Sequence, residues 1–108
     1  MDEARRKRLE AKGWRFGTVK ELLGLSDEES EFIEFKLKLA QSLRAKRLKK
    51  GLGQVRVAQI IHSSQSRVAK MEAGDSSVSV DLLVRAHLAL GASTPELGRI
   101  IAGPLARD

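Results

Sequence analysis

The stretch Ser63-Ser64-Gln65-Ser66-Arg67-Val68-Ala69-Lys70-Met71-Glu72-Ala73-Gly74 decides the reading of this chain. It has the form of a short helix, with a serine placed to cap the first turn and a glycine at the exit. Val68 and Met71 lie three residues apart and share one face. Ser66, Ala69 and Lys70 fall on the other side, flanked by Gln65 and Arg67. The outer edge therefore gathers an amide, a hydroxyl, a guanidinium and an ammonium, with an excess of positive charge.

The residues just before it form a second short helix. Over Gln54–Ile61, Val57 and Ile61 point inward, and Ala58 is small enough for a close helix crossing. His62-Ser63-Ser64 is the connection, and Ser64 caps the helix Gln65–Glu72. Two short helices joined this way, the second polar outside, make a helix-turn-helix. Its geometry suits duplex DNA, because a major groove about 12 Å wide admits one helix. Arg and Lys can bond guanine O6 and N7, Gln can pair with adenine, and a small residue such as Ala69 permits close approach.

Charge supports a polyanionic partner. The net charge is +6 and the calculated pI about 10.1. From Lys36 to Lys70 there are ten basic residues and no Asp or Glu, whereas Glu21–Glu34 holds six acids and no base. The chain thus carries a positive face beside a negative one; a merely solvated cationic face is the alternative reading.

Outside this motif the pattern is helical throughout, and the expected fold is all-α with five helices. Ser26-Asp27-Glu28-Glu29 is a capping-box sequence that opens a long first helix. Its apolar row is Phe32, Phe35, Leu39 and Leu43, and it runs through Leu48 to a stop at Gly51. Ser79 or Asp81 opens a fourth helix closed by Gly91, and Thr94-Pro95-Glu96 starts a fifth. Residues 1–13 read as a flexible basic arm, 14–25 as an N-terminal helical extension, 26–91 as the DNA-binding domain, and 92–108 as a C-terminal helix and tail. Leu97, Ile100, Ile101 and Leu105 either close the domain's own core or form a dimer surface.

Other classes fit poorly. There is no cysteine, so disulfides and thiolate metal sites are excluded, and no cofactor or metal is expected. No apolar run approaches the roughly 20 residues of a membrane helix, and no signal-peptide pattern opens the chain, so a soluble cytoplasmic protein is expected. His62 has no acid nearby in sequence for a Ser-His-acid arrangement. His87, in a mostly apolar helix, is expected at the surface or boundary. No enzyme is expected. RNA modules stack bases on exposed aromatics, and the basic stretch contains none.

Leu52-Gly53-Gln54, Val57-Ala58 and Ser63 through Gly74 together resemble the DNA-binding motif of the XRE family of phage repressor and Cro-like regulators. The likeness continues through Val80-Asp81-Leu82-Leu83 and Ala89-Leu90-Gly91. It implies that Gln65, Ser66, Arg67 and Lys70 read bases or adjacent phosphates, and that Gln54 donates to a phosphate. Lys46, Lys49, Arg56 and Ser64 are expected to add phosphate contacts. The resemblance also implies an ion pair between Arg47 and Glu72 and a homodimer on palindromic sites. This chain departs from the family pattern at Gly53, where a capping residue is usual, and at His62, where glycine is usual. The segment Gly13–Ser26 more weakly resembles the lead-in of HigA-type antitoxins, which implies a RelE-like toxin as a further partner. In that reading Trp14 and Phe16 bind the toxin; in the other they cover the long helix.

Overall fold

The computed structural model describes Gly24 and residues 26–105. Trp14, Phe16 and the basic arm lie outside the described residues. Five helices follow in order: α1 (Asp27–Lys49), α2 (Gln54–Ile60), α3 (Gln65–Ala73), α4 (Val80–Ala89) and α5 (Thr94–Ala102). Among the described residues there is no strand, and no helix is long and apolar enough to cross a membrane. The fold is all-α.

The backbone divides into two compact units, residues 1–34 and 35–108. In the first, the start of α1 is built as its sequence requires. The Ser26 hydroxyl accepts from the Glu29 amide at 3.1 Å and donates to the Glu29 carboxylate at 3.2 Å. Asp27, Glu28 and Glu29 sit at the positive end of the helix dipole. Phe32, placed by periodicity in the apolar row, is 56% exposed.

The second unit carries the core. Leu39, Ala40 and Leu43 of α1 are fully buried, together with Val57, Val68, Met71 and Leu83. Ala58, Val78, Ala86, Leu90, Ala92 and Leu97 complete the cluster. Burying each Leu, Val or Met stabilises the fold by about 1.5–3 kcal/mol relative to exposure. The aromatic-poor composition is resolved by aliphatic packing on every helix of this unit. On α5, Leu97 belongs to the core, while Ile100 and Ile101 pack half-buried against it. Lys38 of α1 reaches across to the Ile101 carbonyl at 3.1 Å.

Helix ends follow one scheme. Ser64, Ser79 and Ser93 cap α3, α4 and α5, each accepting from the third amide of its helix. A cap of this kind contributes about 1 kcal/mol. Gly53, at the same position of α2, provides no side-chain bond. At the C-termini, paired bonds of the Schellman type close α1 through α4. At the end of α3, for example, Asp75 N donates to Lys70 O at 3.0 Å and Gly74 N to Met71 O at 3.2 Å.

His87 departs from expectation. It is fully buried rather than at the boundary, and its Nε2 lies 2.9 Å from the Leu39 carbonyl oxygen. That oxygen only accepts, so Nε2 carries the proton and donates. Burial holds the imidazole below its usual pKa, with the nearby Lys46 charge acting the same way; the Leu39 bond and Glu96 oppose.

Candidate nucleic-acid interface

The pairing of α2 with α3 is made by a tight turn. Ser63 N donates to Ala58 O at 2.8 Å and His62 N to Gln59 O at 3.3 Å, while His62 takes φ 56°. His62 therefore occupies the left-handed position that Gly51, Gly74 and Gly91 fill after α1, α3 and α4. For a residue with a Cβ this conformation costs roughly 1–2 kcal/mol, and His is among the side chains that adopt it more often.

Beyond this turn, α3 is anchored by one face. Val68 and Met71 are fully buried, whereas Gln65, Ser66, Arg67 and Lys70 are exposed and Ala69 is half-buried. The Ser64 hydroxyl accepts from Arg67 N at 3.2 Å and lies 3.3 Å from the Ser66 hydroxyl. The four outward side chains thus stand on a helix fixed by its cap, its core face and the Gly74 exit.

A connected set of polar contacts braces this surface from behind. Arg47 of α1 grips Glu72 of α3 twice, through Nε at 2.5 Å and Nη2 at 3.0 Å, and donates from Nη1 to Leu52 O at 3.0 Å. The side chains are 11% and 5% exposed, so losing one partner would leave a buried charge and cost on the order of 3–5 kcal/mol. The Glu72 bond raises the Arg47 pKa further above its usual value, against the opposing effect of burial. Glu72 Oε1 also accepts from Gln54 Nε2 at 3.2 Å, and Gln54 Oε1 accepts from Gln65 Nε2 at 2.9 Å. Arg47, Glu72, Gln54 and Gln65 form one chain running from α1 to the exposed edge of α3.

The basic residues around α3 divide by their partners. Lys49 and Arg56 are exposed, and Arg56 Nη1 donates to the Gln59 side chain at 3.1 Å. Lys46 is instead engaged with Glu96 at the start of α5, and only 15% of its side chain is exposed. That pairing holds the Glu96 carboxyl below its usual pKa. Lys36 donates to the Asp75 carbonyl at 2.8 Å and secures the loop after α3. In that loop Asp75 accepts from the Ser77 hydroxyl and amide at 2.6 and 2.9 Å, which lowers its pKa.

Two of these relations escape sequence reasoning. The Gln54–Gln65 bridge joins the first residues of the two helices, and only the turn between them brings those ends together. The Lys46–Glu96 pair spans the whole motif; its sole sequence signal is an acid in the first turn of α5.

The helix-turn-helix family model matches residues 43–97. The chain belongs to this family, the helix-turn-helix domain of XRE-type regulators, and is a DNA-binding transcriptional regulator. The match takes in α2, α3 and α4 entire and the start of α5. No match was found among curated proteins or solved structures.

Proposed function

We propose that the protein is a sequence-specific repressor that seats α3 in the major groove of duplex DNA, as a homodimer on palindromic sites. The observation that supports it most is the division of α3 itself. Val68 and Met71 are fully buried while Gln65, Ser66, Arg67 and Lys70 project from the opposite edge. In this reading Arg67 and Lys70 donate to guanine O6 and N7, Gln65 pairs with adenine, and Ser66 bonds a base or phosphate.

Phosphates are held by Lys49, Arg56, the Ser64 hydroxyl and the second N–H of Gln54. Lys46 leaves that set, because Glu96 engages its ammonium. The exposed cations Lys49, Arg56, Arg67 and Lys70 give this surface its attraction for a polyanion. Two-fold pairing would set two copies of α3 about 34–36 Å apart, one helical turn of DNA. A dimer covering such a site excludes other proteins from it, and this is the repressing step.

The test is selection of bound duplexes from a random pool. An inverted repeat with half-sites about one turn apart is expected. Recovery of sequences with no shared bases would overturn sequence-specific binding, and a single unrepeated half-site would overturn the dimer.

A further inference from the structure

The chain of contacts behind α3 has a direction, and that direction has a consequence for base choice. A carboxylate only accepts hydrogen bonds, whereas a glutamine amide has one accepting and one donating end. Glu72 is committed as a carboxylate by its two bonds from Arg47. Gln54 must therefore turn its Nε2 toward Glu72, as observed at 3.2 Å, and its Oε1 away. Gln65 must then offer Nε2 to that oxygen, as observed at 2.9 Å. What remains on Gln65 for a ligand is fixed at one acceptor, Oε1, and one N–H.

We propose that Glu72, which faces away from the groove, sets the base preference of Gln65 by fixing the polarity of two amides in series. This rests on the reading of α3 as the groove-entering helix. One acceptor beside one donor matches adenine alone, whose N6 amino group donates and whose N7 accepts. Guanine presents two acceptors, O6 and N7, and would need both N–H groups of Gln65, one of which Gln54 already holds. Cytosine and thymine satisfy one end of the amide only. Glu72 is thus a positioning residue for specificity, acting through Gln54 without touching DNA.

Replacing the carboxylate by its amide removes the constraint. In E72Q an amide nitrogen can take the place of Oε1, giving up the bond from Arg47 Nη2 and donating to Gln54, so both downstream glutamines can turn over and Gln65 can offer two N–H groups to guanine. The test measures relative affinity for all four bases at each operator position, in wild type and in Q65A, E72Q and Q54A, with thermal unfolding of each variant alongside. A bidentate base contact is worth roughly 5- to 150-fold in discrimination. The wild type should prefer adenine at one position, and Q65A should lose that preference. In E72Q the adenine-over-guanine ratio there should fall by about tenfold, with preferences at other positions retained. Q54A breaks the same series in a half-exposed side chain, and carries the test if E72Q does not fold. An undiminished adenine preference in folded E72Q or Q54A would overturn the inference while leaving base reading by α3 intact. A Gln65-dependent preference for any other base would also overturn it. No sequence preference in the wild type would instead remove the proposed function itself.

Discussion

Replacing Gly74 by alanine tests how closely α3 is drawn against α1. Gly74 has φ +67°, and a Cβ built there would lie 2.7 Å from Leu37 Cδ2 and 3.8 Å from Ala40 Cβ. Gly51 offers a matched control, with φ +69° and nothing within 4 Å of the same atom. Both substitutions carry the left-handed penalty of roughly 1–2 kcal/mol. Both recover about 0.4–1 kcal/mol by restricting the unfolded chain. G51A should therefore cost about 1 kcal/mol or somewhat less. G74A adds the displacement of Leu37. Its methyl is the far end of a half-buried, rotatable side chain, so the added cost should sit near the low end of the overpacking range, about 1 kcal/mol. The total for G74A is then about 2 kcal/mol, or roughly 8–16 °C in Tm for a domain of this size. Urea unfolding, with the slope unchanged between variants, reads the difference directly. Equal stability of G74A and G51A would refute the close approach of α3 to α1 at this point.

Two further outcomes follow from the site and the core. R67A and K70A should each lose about 1–3 kcal/mol on the selected operator and relax preference at one position, while R56A should weaken all duplexes alike and reduce the salt slope by about 1; competition binding at several salt concentrations separates them. For His87, whose folded pKa is depressed chiefly by burial, the unfolded chain binds the proton first as pH falls. Stability should be steady above the ordinary imidazole value of 6.5 and decline below it, down to the folded value, with a slope of at most about 1.4 kcal/mol per pH unit. H87Q, which keeps a donor for the Leu39 carbonyl, should flatten the decline below about pH 6.5; parallel curves for the two proteins would contradict the assignment.

The parts of this molecule that were legible in the sequence are those set by local chemistry. Ser64 as cap, Val68 and Met71 as the inward pair and Gly74 as the exit all lie within one short segment, and their spacing carries the geometry of α3. The helix starts at Ser26 and Thr94-Pro95 were legible for the same reason, and that of α4 was narrowed to Ser79 or Asp81, of which Ser79 is the cap. His87 was not, because the atom that makes its burial tolerable is the Leu39 carbonyl, 48 residues away in sequence. Nothing near position 87 marks that partner. Lys46 read as one more cation in a basic run, and only tertiary packing brings Glu96 to it. The polarity of Gln65 was hidden too. Each of its links is a side-chain bond across an element boundary, and Gln54 gives no sign in sequence of bonding both Gln65 and Glu72. The antitoxin reading turned on Trp14 and Phe16, which the described residues do not include.

The claim on which the account depends is that the exposed edge of α3 meets base edges in the major groove. Dimethyl sulfate interference on the selected operator addresses it directly, because the reagent methylates guanine at N7 in the major groove and adenine at N3 in the minor groove. Methylation at guanine N7 within the half-sites should block binding, and methylation at adenine N3 there should not. Interference confined to adenine N3, or none at either position, would contradict groove entry by α3.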